Sequence, residues 1–491
     1  MSDRRRTEPT PAITTPATTP AATAPAATPM PAVAPATPGP AVPRRATEPE
    51  PHPGLMVMGV VILCSVLAER AILSLSTGGS GGLQLVAFVA PAAAIAAVIR
   101  YGASHSLGFM ASPRFVFAVL PYLVLDFVLP FLGVMYNRYP ERTLWSATEA
   151  TTALSFLILG AVWSADRRST GWQFLLLALV ANFAYAAGQA IYLAQLPGWQ
   201  FFGPFHQWDL SLQSIYGELV QARGTGLFFN PNTLGLWCGV GVVLGWAMLP
   251  GRWRTIGVVL AVLTLVLSES RGASVALVAA ILVGAVSAIA SGRLGKLGGV
   301  RSVITYAAAI ALAAGAALVI EPQGTVFERF SALIAIVTQG PQADANLAGR
   351  IDYWSAVVSL NAVYPFGTWG SPEMILGTAI DSSWFRAFAQ GSVPYMTLLG
   401  LVVASAFTIG SFRWAPQLRM LAVLVAVAGL TETSFSYPPI FMFWMLLGAG
   451  LQSNVRAVAE AQILKPAIAL RFAGRRRPAP DAPSAAAERA T

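Results

Sequence analysis

The sequence predicts an all-α integral membrane protein, and three observations lead there. Of 491 residues, 55% are hydrophobic and only 11% are charged, against about 25% charged in soluble domains. The apolar residues recur in runs of about 17 to 22, enough for a helix to cross about 30 Å of hydrocarbon, and the runs number about twelve. Helices also satisfy every backbone donor and acceptor within one segment, as a bilayer requires. Finally, the basic residues are spread unevenly over alternate loops.

Taken in order, residues 1–50 are almost wholly Pro, Ala and Thr. Such a segment cannot bury enough apolar surface to offset its ordering entropy, and it reads as a disordered cytoplasmic tail. After Arg4-Arg5-Arg6 comes this proline-rich stretch and not the apolar core of a secretory signal. Residues 51–460 form a polytopic membrane domain, with spans expected near 55–75, 83–99, 115–135, 147–164, 172–193, 232–249, 255–270, 273–291, 302–320, 392–411, 418–434 and 438–455. Residues 461–491, ending in "GRRRPAPDAPSAAAERAT", read as a basic disordered cytoplasmic tail.

Placing both ends in the cytoplasm puts 23 of the 31 Lys and Arg inside, among them Arg100, Arg114, Arg167, Arg168, Arg252, Arg254, Arg293, Lys296, Arg301, Arg413 and Arg419. The positive-inside rule favours that orientation. The net charge of +9 therefore belongs to tails and inner loops, which removes the case for nucleic acid as a partner. Cys64 and Cys238 lie inside apolar runs and read as packing residues. His52, His105 and His206 are too scattered for a metal cluster.

Two outer loops are long, about 194–231 and about 321–391. In the second, "TVFERFSALIAIVTQ" and "NLAGRIDYWSAVVSLNAV" carry apolar residues at helical spacing, as in Val326, Phe327, Phe330, Leu333, Ile334 and Val337. Short amphipathic helices on the membrane surface are expected there, the second capped by Asn346. The turn-rich "YPFGTWGSPE" follows.

The eight outer basic residues are all arginine: Arg70, Arg138, Arg142, Arg223, Arg271, Arg329, Arg350 and Arg386. Arginine's planar fork grips phosphate or carboxylate bidentately and stays charged. Arg70 beside Glu69 reads as interfacial, Arg138 and Arg142 as solvated, and Arg329 as the wet face of a surface helix. Arg271 differs: in "SESRGA" it sits in a very tight turn with a carboxylate, two hydroxyls and a glycine. In "RGTGLFFNPNTLG", Arg223 precedes two glycines that permit close backbone approach, and Asn230 or Asn232 can cap the next helix, whose N-terminus favours an anion. Arg350 lies one turn before Trp354, a spacing that permits stacking of its guanidinium on the ring. For acid–base work the outer side offers Glu218, Asp352, Glu373, Asp381 and Glu432. No Walker loop, GxGxxG, acidic metal cluster or Ser/His/Asp set is present, which argues against soluble nucleotide chemistry.

The segments "RGTGLFFNPNTLG", "SESRGA", "GRIDYWSAV", "YPFGTWG" and "DSSWFRAFAQGSVPYMTLLG", in this order over about residues 210–450, resemble the O-antigen ligase/polymerase superfamily of bacterial membrane glycosyltransferases. The first five spans match it only in hydropathy, and the tails do not match. The resemblance implies a glycosyltransferase-C-like helical fold acting at the outer face of the inner membrane on undecaprenyl-diphosphate-linked glycan, with no cofactor and no metal. It implies that Arg223, Arg271 and Arg350 hold the diphosphate, with Arg386 and Asn232 also on the substrate. Other polysaccharide assembly and chain-length proteins are implied partners, beside membrane lipid. Ligases of this superfamily carry a histidine where this chain has Asp381, followed by Ser382. That departure favours a Wzy-type polymerase, with Asp381 as base or acceptor-orienting group and Glu432 as the alternative. Ligation to another acceptor and a lipid-linked oligosaccharide flippase are the competing functions. A transporter calls for charged or broken helices near the midplane, whereas the ionisable residues here are expected to gather at the outer boundary.

Overall fold

The computed structural model describes residues 53–67, 72–73, 83–84, 86–136, 147–164, 171–193, 224–228, 230–290, 338–343, 345–370, 372–377, 380–410, 412–436 and 438–473. The chain divides into residues Met1–Pro51 and His52–Thr491. The first part, with the expected disordered tail, lies outside the described residues, as do the span near 302–320, most of the loop at 194–231 and Arg223 itself.

The described part is helical apart from a two-residue antiparallel ladder, Ile72–Leu73 with Leu83–Gln84. We number the longer helices α1 (Pro53–Leu67), α2 (Val86–Tyr101), α3 (Leu120–Met135, entered through a π-helical turn at Phe115–Val119), α4 (Thr148–Trp163), α5 (Trp172–Leu193) and α6 (Pro231–Met248). They continue as α7 (Gly251–Ser268), α8 (Arg271–Ala290), α9 (Ala345–Val363), α10 (Ser383–Thr408), α11 (Ala415–Ala428) and α12 (Ile440–Ala473). The stretches Phe115–Met135, Gly251–Ser268 and Ser383–Thr408 are long and apolar enough to cross a membrane. Shorter apolar helices stand at Gly54–Val66, Val86–Tyr101, Thr148–Trp163, Arg271–Ser287 and Ala415–Ala428.

A helix that is apolar all round has to be buried all round, and α6 and the first half of α12 are. Leu234, Trp237, Cys238, Val242 and Leu244 on α6, and Met442, Met445, Leu446 and Leu447 on α12, have essentially no exposed surface. The peripheral helices carry the opposite pattern. On α8 the residues Val275, Val278, Leu282 and Val286 recur every three or four positions and are all exposed, a stripe suited to lipid tails.

Between helices in lipid the hydrophobic drive is weak, and close backbone packing takes its place. The contact of α4 with α12 rests on two glycines. A β-carbon on Gly160 would lie 1.9 Å from the Met445 carbonyl oxygen, and one on Gly448 would lie 2.1 Å from that of Leu157. The two backbones touch, and any side chain at either position pushes them apart.

Two expectations are corrected here. Helix α12 continues to Ala473, so the segment expected to be disordered from 461 is helical over its first part. Helix α9 begins at Ala345, which puts Asn346 in the first turn and not at the cap. The surface helix expected over 325–339 falls almost wholly outside the described residues.

Candidate functional site

The turn between α7 and α8 organises one end of the bundle. Glu269 adopts left-handed backbone, φ 49° and ψ 27°, and its N–H donates to Val266 O at 3.0 Å to close α7. Left-handed backbone is unusual for a non-glycine residue, and surrounding structure has to hold it there. Ser270 then caps α8, its Oγ accepting from Ala273 N at 3.3 Å and donating to Glu432 Oε1 at 3.2 Å. Arg271 is the first residue of α8 and is half-buried. The Glu432 carboxylate and Thr431 Oγ1 lie against Gly272, 2.6 and 2.8 Å from where its β-carbon would stand. Glu432 is 3% exposed, a buried carboxylate at the positive end of a helix.

The segment after Arg223 meets the same turn. Gly224 N donates to Leu267 O at 2.8 Å. Gln189 at the end of α5 accepts from Thr225 N and Gly226 N at 2.9 and 3.0 Å and donates to Thr225 Oγ1 at 2.9 Å. The buried Asn182 accepts from Leu227 N at 3.0 Å. Asn230, not Asn232, caps α6: its side chain accepts from Asn232 N at 2.8 Å. Asn232 stands half-buried in the first turn of α6, and Gly235 one turn on lets α6 close against Ser270 and Ala273.

Arg350 reaches this place from α9. Its Nη1 donates to Thr431 O at 2.7 Å, and Nη2 lies 3.7 Å from Asp381 Oδ2. Arg350 and the first turn of α8, which carries Arg271, therefore both meet residues 431–432. Trp354 does not stack on Arg350; its ring stacks on Phe385, centroids 4.9 Å apart. Asp381 has 58% of its side chain exposed. Beside it, Ser382 Oγ donates to Gly429 O at 2.9 Å, while Ser383 N donates to Gly429 O and Glu432 O at 2.9 and 3.0 Å. The loop 429–436 is thus the piece onto which the "SESRGA", "GRIDYWSAV" and "DSSWF" segments are tied.

Arg386 belongs to a neighbouring group. Its Nε lies 3.0 Å from Glu373 Oε1, its Nη2 lies 3.8 Å from Glu149 Oε1, and its Nη1 donates to Ser436 Oγ. A small apolar cluster of Val357, Ile380 and Ala389, with Tyr353, Phe385 and Phe388 around it, holds α9 against the first half of α10. That packing brings the helix that carries Arg350 against the half of α10 that carries Arg386.

Helix α10 is broken where it leaves this group. Gly391 and Ser392 have non-helical backbone, Ser392 with φ 60°. Pro394 has no N–H to give the Gln390 carbonyl, and Trp369 N supplies one at 2.9 Å. Thr368 N likewise donates to Ala389 O at 2.8 Å. The "FGTWG" turn is a strap that satisfies the broken helix. Just past the break, Tyr395 OH donates to Asp126 Oδ1 at 2.7 Å. Asp126 stands in the middle of Phe115–Met135, contrary to the expectation that ionisable groups keep to the boundary. A lone carboxylate in "LPYLVLDFVLP" was the available signal for it.

Of the residues singled out in the sequence, Arg271, Arg350, Asp381 and Glu432 come together, Asn232 stands beside them, and Arg386 adjoins through Ser436. Glu149, Gln189 and Asn182 were missed. Comparison of the sequence with known protein families and with characterised proteins returns no match.

Proposed function

We propose that this chain is a metal-independent membrane glycosyltransferase, a polysaccharide polymerase working at the outer face of the bacterial inner membrane with both termini cytoplasmic. The observation that carries the reading is the convergence of Arg271 and Arg350 with Asp381 on the loop 429–436. In this reading the donor is glycan on undecaprenyl diphosphate. A hydroxyl of the next lipid-linked repeat unit attacks the anomeric carbon, the bond from that carbon to the phosphate oxygen breaks, and the lipid diphosphate leaves with the electron pair. Developing negative charge falls on phosphate oxygens, where fixed guanidinium donors stabilise it. At about 1.5–3 kcal/mol for each charged hydrogen bond, two or three arginines supply several kcal/mol. Arg271 and Arg350 fill that role with Arg223, which precedes Gly224 in the sequence, and the N-terminal end of α6 beside Asn232 adds the partial positive charge of a helix start. Asp381, the most exposed carboxylate of the group, takes the acceptor proton. Glu432, buried and bonded to Ser270, shapes the loop.

The test is a strain lacking the chain, with its polysaccharide sized on a gel and its lipid-linked intermediates extracted. Single repeat units on lipid, without long chains, are expected. Long chains retained on the lipid diphosphate would make the protein a ligase, and repeat units trapped on the inner leaflet a flippase.

A further inference from the structure

Four side chains beside the arginine site have no part in holding a diphosphate. Arg386 is balanced by Glu373 at 3.0 Å and Glu149 at 3.8 Å, and Asp126 stands within electrostatic reach of both Glu149 and Arg386. Arg386 is already engaged by two carboxylates and by Ser436, so this group has no free guanidinium to offer a phosphate or a sugar carboxylate. The cluster is nevertheless open. Glu149 has 44% of its side chain exposed, and its contact with Arg386 exceeds hydrogen-bond length, which leaves its oxygens accessible to other donors. Asp126 is likewise only partly covered. Its partner Tyr395 is fixed in place, stacked on Tyr122 with ring centroids 5.3 Å apart, while Tyr122 stacks on Trp444 at 6.0 Å. The oxygens of Glu149 and Asp126, held in place by Arg386 and by the Tyr395 hydroxyl, are acceptors of the kind that sugar hydroxyls require.

We propose that Glu149, Arg386 and the Asp126–Tyr395 pair form a glycan pocket that binds the hydroxyl groups of a neutral or amino sugar and rejects a uronic acid. This rests on the polymerase reading and gives its site a sugar specificity. Arg386 donates to Ser436 at the end of the same loop that Arg350 and the start of α8 meet, so one substrate can place diphosphate on the arginines and sugar here.

The experiment uses the full chain in lipid nanodiscs with two kinds of probe. One is a panel of phosphate-free oligosaccharides, neutral, amino and uronic, followed by saturation-transfer NMR; the other is inorganic pyrophosphate. Neutral or amino members bind the wild type, whereas the uronic member does not. Glu149→Gln and Tyr395→Phe each weaken the sugar at least tenfold and leave pyrophosphate within twofold, and Arg271→Ala does the reverse. Failure of every sugar to bind, equal binding of the uronic member, or unchanged sugar affinity in both variants overturns the pocket. Loss of both probes together does so too, since it marks a merely structural knot. Sugar binding through Glu149 in a protein whose deletion leaves polymer intact removes the polymerase reading and keeps the pocket. Deletion-strain loss of polymer with no sugar effect removes the pocket alone.

Discussion

The Ser270 hydroxyl joins Ala273 N, three residues on, to Glu432 Oε1, 162 residues on. One atom caps α8 and holds the loop 429–436 against the helix. Ser270→Ala removes both bonds. An N-cap is worth about 1 kcal/mol, and a buried acceptor deprived of its donor adds about 1–3 kcal/mol. A clear fall in the thermal midpoint of the detergent-solubilised protein is expected, together with loss of product. An unchanged midpoint would show that Ser382, Ser383 and Arg350 suffice to hold the loop.

Arg271→Ala and Arg350→Ala should each abolish long-chain product while the protein still inserts, as judged by membrane fractionation and immunoblot. The lysine variants should recover little. At position 350 one fork serves both Thr431 O and Asp381, and an ammonium lacks that geometry. Full product from both alanine variants removes the diphosphate site.

Gln189 bears on the same site from a distance. It holds Thr225 and Gly226 by three hydrogen bonds. In Gln189→Ala, turnover should drop at least tenfold with little change in thermal midpoint, because the loss falls on the loop that carries Arg223 and not on the core. Gln189→Glu keeps the two N–H bonds and should retain more activity. Equal activities in the two variants would mean that the loop needs no such anchor.

Gly367 is a sharper probe of the strap. Its φ is +83°, and a β-carbon would stand 2.3 Å from the Gln390 carbonyl oxygen. Gly367→Ala lifts the strap and leaves the Ala389 and Gln390 carbonyls without donors. A loss of about 1–3 kcal/mol for each buried group left unpaired should appear as faster proteolysis in 364–370 and a lower midpoint. Wild-type resistance would show that the broken helix stands without the strap.

What the sequence made legible follows the range of the interactions. Hydropathy runs, the Asn230 cap and the "SESRGA" turn are local, and most of the described apolar helices overlap the runs, α10 and α12 extending well beyond theirs. The span expected from 392 starts at the Gly391–Ser392 break because the apolar run begins there, yet α10 itself begins at Ser383, a half-helix whose polar residues hide it from hydropathy. Arg350 looked toward Trp354 because helical spacing places them together; the ring's true partner, Phe385, comes from another helix. Asp126 with Tyr395 and Glu149 with Arg386 were out of reach for the same reason: no local pattern encodes a pairing between α3 or α4 and α10.

The backbone contact of Gly160 with Met445 has a consequence for how the chain is made. Its two sides are synthesised far apart in time, since α4 leaves the ribosome early and α12 comes near the end. Until then the α4 surface at Leu157 and Gly160 lacks the backbone that packs on it. Helix α12 has to dock with Met445 and Gly448 against that surface. A nascent chain halted before residue 440 therefore lacks the backbone against which Gly160 packs, and its uncovered glycine edge distinguishes it from the finished protein.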